Sequence, residues 1–528
     1  MKNNYLRPEH PDISKIKCPV IDDKGVIKDS YSEYLKDESK LQGKIPEKIF
    51  FPRTSQEVVF AVKDTIKNNK KIGISGSRTG IVGGAVPVEA EYLVSLENLL
   101  SKPEVYFNNG KNCWAVKIMS GTKLEDLQKF LRKREYKTNK DLPDNLYFPV
   151  DPTEISASIG GMVAANASGA RTLFYGSTRS WVLGLTVILS DGSVLKIERD
   201  KNVLINNSFF IDLFNNKVKI EIPKINIPST KHVAGYYLKE DMDLIDIFIG
   251  GEGTLGIITE VDLRLEYLRE HCLYLSIFFQ NDNYKEFINK IKKTKIIDPI
   301  AMEFLDRRSI KLLKKYRQEQ GEASGVPDFP GEIKGVIYIE IGFESEVEFE
   351  KIYKELSYIF RELNIPIEST WAGFNKNDLD NMKRFRHALP ERINMLISQK
   401  KIKFPEITKI GTDMAVPDKS LGEIMDYYIN SLELIGLEYY IFGHIGNGHL
   451  HVNIIPDNMD DMEKAKQLYR EFAKKVVSLN GSIAAEHGIG RLKKDFLKIQ
   501  FNDKEISAMK KIKDKFDPKA IFNPGVLW

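Results

Sequence analysis

Between Thr54 and Lys67 the apolar residues Val58, Val59, Val62 and Ile66 recur at helical spacing, and Thr54–Glu57 reads as a capping box that opens the helix. Ile72 and Ile74 then mark a short strand running into a glycine-rich loop, Gly76 to Gly84. A second capping box at Thr122–Glu125 predicts a helix carrying Leu124, Leu127 and Leu131. Val182 to Ile197 reads as a β-hairpin turning at Asp191-Gly192. Residues 45–268 are thus expected to form one unit. An irregular polar lead-in over 1–44 precedes it, and a segment of about 200–245, rich in Asn, Lys and Pro, reads as an insertion or a long surface excursion.

After Leu268 the pattern restarts. Strands are predicted at 272–279, 335–343, 408–416, 438–443 and 449–455. Amphipathic helices are predicted near 283–294, 346–363, 376–400, 419–434 and 459–479. Strands separated by helices of this length point to a second domain over 269–510, an antiparallel sheet with helices on one face. The last segment, 511–528, holds Asp517-Pro518 and Asn523-Pro524-Gly525 and is expected to pack back on the first unit. The fold class is α+β.

Composition narrows the functions open to such a chain. With 42% hydrophobic residues, the 528-residue sequence is too apolar for disorder. The 78 basic and 74 acidic residues nearly cancel, which leaves no global charge for nucleic acid. Cys18, Cys113 and Cys272 stand at no metal or cluster spacing, so a disulfide scaffold, a thiolate zinc site and an iron–sulfur cluster are excluded as expectations. No stretch nears the roughly 18 apolar residues of a membrane helix. Met1 to Asp12 lack the apolar run of a signal peptide. The expected location is cytoplasmic, at most peripheral at the inner face of the membrane.

Three glycine clusters occupy the first half. Gly76-Ser-Arg-Thr-Gly80-Ile-Val-Gly83-Gly84 can expose backbone N–H groups to an anion such as a pyrophosphate, although it lacks the Lys-Ser/Thr ending of a P-loop. Ser156 to Gly176 is small at nearly every position, so a planar ligand or another backbone can come close. Gly251-Glu-Gly253-Thr-Leu-Gly256 satisfies the letters of a dinucleotide fingerprint, but the alternation from Thr259 on predicts a strand where that fingerprint needs a helix. Taken in order, these segments resemble the flavin domain of the vanillyl-alcohol-oxidase/p-cresol-methylhydroxylase superfamily. The branch is that of FAD-linked D-lactate, D-2-hydroxyglutarate and glycolate dehydrogenases. Phe51-Pro52-Arg53-Thr54-Ser55-Gln56-Glu57-Val58 is similar to that family's opening motif. The central block is matched by Ile159-Gly160-Gly161 through Asn166, Gly169, Tyr175-Gly176 and Val182-Leu183-Gly184-Leu185.

The resemblance implies a two-part FAD-binding domain followed by a substrate cap. Carried over by position, it implies flavin contacts from Pro52, Gly76, Ser77, Arg78, Thr79, Gly80, Gly83, Gly84, Asp151, Ser156 and Ser158. Gly160, Gly161, Asn166, Gly169, Tyr175, Gly176, Glu252, Gly253, Ile257 and Asn523 complete the set. Relatives commonly have glycine or asparagine at Arg78, so a guanidinium is expected to contact phosphate here. Relatives with covalent flavin carry a histidine in this loop. Residues 73–87 contain neither histidine nor cysteine, so the FAD is expected to be dissociable.

Four of the eight histidines fall in two short stretches, His444-Ile-Gly-Asn-Gly-His449-Leu-His451 and Glu486-His487. Glycines between the histidines permit a tight turn, and strand alternation puts His449, His451 and Asn453 on one face. Imidazoles with a carboxylate suit Zn, Fe or Mn. The resemblance implies His444, His451 and Glu486 as metal ligands and His487 as base. His449 stands where relatives often have asparagine and is expected behind the ligands. For a substrate carboxylate, Arg386 resembles the family's arginine, with Arg384 an alternative register; Lys409 and Asn453 are further candidates.

The expected reaction is oxidation of a D-2-hydroxy acid to the 2-oxo acid. D-lactate is the first choice because the motifs show no dense cationic cluster for a second carboxylate; D-2-hydroxyglutarate and glycolate are the alternatives. The electrons would pass to a quinone or an electron-transfer flavoprotein, and a homodimer stays open. Three other readings compete. A metal-dependent hydrolase leaves the glycine segments unexplained, and a colourless protein would favour it. A flavin subunit without catalysis would resist reduction by any hydroxy acid. A transferase like alkyl-dihydroxyacetone-phosphate synthase lacks the metal set.

Overall fold

A computed structural model describes residues 5–136, 142–269, 271–328 and 331–528. The first unit holds two main sheets. In the smaller, Ile72–Ser75 and Lys48–Phe50 flank Tyr92–Ser95 in parallel, and Val20–Ile21 adds an antiparallel edge. The lead-in is therefore not an irregular prelude: Ile27, Tyr34 and Leu35 are buried in a cluster with Ile49, Phe51 and Leu93. In the larger, antiparallel sheet, Ile257–Arg264 runs between Cys113–Met119 and Val182–Ile188, with Glu104–Asn108 and Val194–Glu198 at the edges. The third glycine cluster opens directly into this central strand, as its alternation predicts, and no dinucleotide helix follows it.

The expected insertion is not a surface excursion. Ser208–Leu213 pairs with Asn216–Glu221, and Phe209, Ile211, Leu213, Ile220 and Ile222 enter the main core. Two local signals also read differently in three dimensions. At the first capping box Thr54 accepts from Glu57 N–H at 3.2 Å, as expected. At the second, Thr122 caps nothing: the helix Leu124–Arg132 begins with its Leu124 and Glu125 N–H groups on the carbonyls of Ala157 and Ile155, both at 2.9 Å. A backbone brought from thirty residues away replaces the side-chain cap.

The second unit is an eight-stranded antiparallel sheet. Its order is Thr370–Gly373, His271–Phe279, Gly335–Phe343, Pro299–Asp306, Glu438–Gly443, His449–Ile455 and Ile410–Gly411, with Met414–Ala415 pairing on His449–Ile455. The strand expected over 408–416 is thus two short ones, broken at Thr412-Asp413. Pro299–Asp306, near the middle of the sheet, carries no periodic signal, and neither it nor the helix Arg307–Gln320, which buries Ile310 and Leu313, is among the expected elements. All eight residues of that strand are buried, so it lacks the alternation of a strand with one wet face. The helix Lys376–Lys403 contains Pro390, which has no N–H for the Arg386 carbonyl four residues earlier.

The chain then returns. The helix Asp503–Phe516 already packs on the first unit, so the return starts before 511: Met509 lies against Gly235, Glu505 accepts from Asn226 N–H at 3.1 Å, and Phe516 meets Phe248 edge to face, while Lys513 donates to the Thr254 carbonyl at 2.6 Å. Ile72 and Phe522 form a parallel bridge, which seats the tail beside the strand that leads into the first glycine loop.

Candidate functional site

His444 follows the strand Glu438–Gly443, and His449 and His451 begin the next one. Gly446 makes the turn between them possible at this interface, because a Cβ there would stand 2.6 Å from Leu173 Cδ2 of the first unit. The loop after Ser482, which bridges to Ala415, brings Glu486 and His487 to the same place. Ligand atoms of His444, His449, His451 and Glu486 all lie within 4.8 Å of one another. The His449 ring is therefore among the others, not behind them.

Each ring is oriented differently. His444 Nδ1 donates to Glu303 Oε1 at 2.6 Å, with Nε2 3.3 Å from Glu486 Oε1. His451 Nδ1 donates to the Thr412 carbonyl at 3.1 Å. His487 stacks on His451, with its Nδ1 3.4 Å from Asp413 Oδ2. Asp413 is the hub of this loop: it accepts from the backbone N–H of Glu486 and of His487, each at 3.0 Å, and from Lys493 Nζ at 2.8 Å. Glu486 Oε1 also accepts from Lys231 Nζ and from Ser168 Oγ.

Burial and charge pull these groups apart. Burial pulls His444 down, but Glu303 and Glu486 outweigh it and lift it to about 9. At His449 burial wins over the pull of Asp413 and Glu486, and it falls to about 4. Burial also lowers His487, against the pull of Asp413, so its imidazole is neutral near neutral pH and can accept a proton. Burial would raise Glu486, but Lys231 and His444 hold it well below the usual carboxylate range. Glu303 is likewise held at about 2 by His444 and Arg386.

Behind the histidines, one face of the sheet carries Glu303, Tyr338 and Glu340. Arg386 donates to Glu303 Oε2 at 2.9 Å and lies 4.9 Å from the Tyr338 ring centre. The Tyr338 hydroxyl donates to Glu340 Oε1 at 2.7 Å, and Arg171 of the first unit donates to Glu340 Oε2 at 2.9 Å. Asp151 accepts from the Arg171 N–H and stands here, with burial raising it to about 6. Lys383 lies within electrostatic reach of Arg171, Glu340, Asp151 and Arg386. Of the two arginines in question, Arg384 is exposed and turned to Asn381, whereas Arg386 faces inward. Lys409 donates to Asn394 Oδ1 at 2.9 Å, and Asn453 leaves its Nδ2 buried without a partner.

The glycine segments meet along the strand Ile72–Ser75. A Cβ on Gly76 would sit 2.5 Å from Ser158 Oγ. Asn523 accepts from Ile74 N–H at 2.7 Å and donates to the Glu252 carbonyl at 2.9 Å, while Gly253 lies beside it. Other expected flavin contacts also have partners within the protein. The Arg78 guanidinium pairs with Glu97 and lies over the Tyr34 ring. Tyr175 sits in an aromatic group with Tyr147, Phe174 and Trp181. Ser156 bonds to Glu154, and Asn166 caps its helix and accepts from Arg179 N–H. Pro52 and Ile257 are buried in the framework, and Gly169 lies against Asp151.

What remains around Gly76 and Gly160 fits a polar cofactor. The hydroxyls of Ser95, Ser120 and Thr122 are buried there without partners, and a Cβ on Gly84 would meet nothing within 4 Å. The donor set of the histidine cluster likewise fits a divalent ion, because three imidazoles and one carboxylate converge on one centre.

The loop from Glu486 to Arg491 joins the two halves. Ile489 and Gly490 donate to the Glu252 carboxylate at 2.8 and 2.7 Å, and Arg491 N–H donates to the Val82 carbonyl at 2.8 Å. The residues unforeseen in the sequence are Lys231, Glu303, Asp413, Glu340 and Arg171. Two of them had a signal: an acid within the apolar runs Pro299–Asp306 and Gly335–Phe343 must find a buried partner.

Comparison with known proteins bears on both halves. Residues 46–198 match the model described as "FAD binding domain", and residues 271–527 that described as "FAD linked oxidases, C-terminal domain". A D-lactate dehydrogenase of Anaerostipes hadrus is 28% identical over 93% of this chain and 92% of its own. A D-2-hydroxyglutarate dehydrogenase of Stutzerimonas stutzeri is 27% identical over 95% of each. Glycolate oxidase subunit GlcD of Bacillus subtilis is 27% identical over 92% of this chain and 89% of its own. Among solved structures, alkyldihydroxyacetonephosphate synthase shares the fold, with a TM-score of 0.58 at 15% identity over 91% of this chain and 77% of that one.

Proposed function

Because this chain belongs to the FAD-linked D-2-hydroxy-acid dehydrogenases, we propose that it oxidises D-lactate to the 2-oxo acid, with D-2-hydroxyglutarate and glycolate as the alternative substrates. The observation that carries the reading is the loop Glu486–Arg491. It bears His487 and is bonded both to Glu252 and to the first glycine loop, which ties a base to the flavin-binding half.

Bound FAD would supply the hydride acceptor, and His444, His451 and Glu486 would hold a divalent ion whose Lewis acidity would act on the α-hydroxyl. The chain does the rest. His487 takes the hydroxyl proton, with Asp413 beside Nδ1 orienting the ring so that the other nitrogen accepts. Arg386 has donors beyond the one spent on Glu303, and with Lys409 and Asn453 it holds the substrate carboxylate. Fixing the reacting carbon in this way accounts for a large part of such a rate.

The preference for D-lactate needs a new ground, because the fold does assemble a cationic cluster from Arg171, Lys383 and Arg386. Arg171 and Lys383 are already balanced by Asp151 and Glu340, so beyond Arg386, which takes the substrate's own carboxylate, this cluster offers no cation to a second one. With no histidine or cysteine in residues 73–87, the FAD is held without a covalent bond. Electrons then leave to a quinone or an electron-transfer flavoprotein. Among the described residues no helix is long and apolar enough to cross a membrane, so contact with a quinone would be peripheral.

The test is an anaerobic screen of D- and L-2-hydroxy acids against the purified flavoprotein, following loss of the visible flavin band. D-lactate should bleach it. A protein that binds FAD and is reduced by none of the D-acids would refute the proposal.

A further inference from the structure

His449 is fully buried, and its Nδ1 has no hydrogen-bond partner. That is costly for a ring nitrogen, which loses its solvent contacts on burial. Its neighbours differ: His444 has Nδ1 committed to Glu303, and His451 has Nδ1 committed to the Thr412 carbonyl. Each of those two therefore turns a second nitrogen toward the cluster. His449 Nε2 lies 3.2 Å from Asp413 Oδ1. Its Nδ1 faces the other way, 4.0 Å from Glu486 Oε2. The ring centres stand 4.4 Å from His451 and 5.4 Å from His444. An imidazole serving only to orient a ligand would be bonded to that ligand, and this one is not.

We propose that His449 is itself a metal ligand, through Nδ1, so that the ion is held by three imidazoles and one carboxylate. The inference rests on the reading that this cluster holds a divalent ion. Asp413, beside Nε2, then orients the ring as carboxylates commonly do behind metal-bound histidine. Three nitrogen donors favour zinc, iron or cobalt over magnesium, calcium or manganese.

The test is made on the FAD-loaded full chain. X-ray absorption of the zinc-loaded protein counts the imidazoles on the metal, and three are expected. Competition with a chelator measures zinc affinity in the wild type and in His449→Asn, with flavin retention and melting temperature as controls for folding. Loss of a direct ligand should weaken binding by more than the roughly 10- to 100-fold that loss of an outer partner costs. Two imidazoles on the metal, or a smaller change in a folded variant, would overturn the inference while leaving the metal site standing. A wild type that takes up no ion would overturn both. Should the variant fail to fold, the imidazole count alone decides.

Discussion

Glu252 is where the flavin-binding half grips the loop that carries the proposed base, and removing it has a calculable effect. Its carboxylate accepts two buried backbone N–H groups, from Ile489 at 2.8 Å and Gly490 at 2.7 Å. In Glu252→Ala both donors lose their partner, at about 1–3 kcal/mol each, or roughly 2–6 together. The charge works the other way. Burial raises Glu252 from 4.5 to about 7, which corresponds to roughly 3 kcal/mol. For an acid shifted upward the folded state binds the proton more tightly. Stability is therefore lost as the pH rises from 4.5 to about 7, and changes little above that.

Glu252→Gln keeps the size of the side chain and removes the ionisation. The stability of the wild type relative to Glu252→Gln should accordingly fall by roughly 3 kcal/mol between pH 5 and pH 8. Urea unfolding at fixed FAD concentration, followed by flavin fluorescence and circular dichroism, measures it. Because the loop holds His487, Glu252→Ala should also lower kcat by about 100-fold, the order expected when a reacting group is displaced by an ångström. If the two unfolding profiles run parallel across that pH range, or Glu252→Ala turns over normally, the clamp as described is wrong.

Other perturbations test neighbouring parts. His487→Ala should keep FAD and metal yet abolish bleaching by substrate, and normal bleaching would remove His487 as the base. In Glu303→Gln the amide must turn its N–H toward a group that already donates, either His444 Nδ1 or Arg386, so chelator competition should report metal binding weaker by roughly 10-fold or more. Gly446→Ala places a methyl 2.6 Å from Leu173 Cδ2; it should cost about 1–3 kcal/mol, and Leu173→Ala should restore the melting temperature. Acid precipitation should release the FAD, and apoprotein mixed with free FAD should regain activity; flavin that stays with the precipitate would contradict dissociable binding.

Much of this protein follows from local patterns. The Thr54 cap, the hairpin at Asp191-Gly192 and the strand after Gly256 depend on neighbouring residues, and they form as expected. The histidine cluster was legible for the same reason, since two glycines and a strand period fix how its rings face. Tertiary structure decided what depends on partners distant in sequence. Pro299–Asp306 is buried on both faces and has no period to read, so the strand that supplies Glu303 became visible only in the sheet. Lys231 came from a stretch that looked like surface, and Thr122 lost its cap to carbonyls from residues 155 and 157. Composition and local spacing set which chemical groups were available and in what local geometry. Only the packing of one unit against the other decided which of them are buried together, and burial is what sets their charge and hence what they can do.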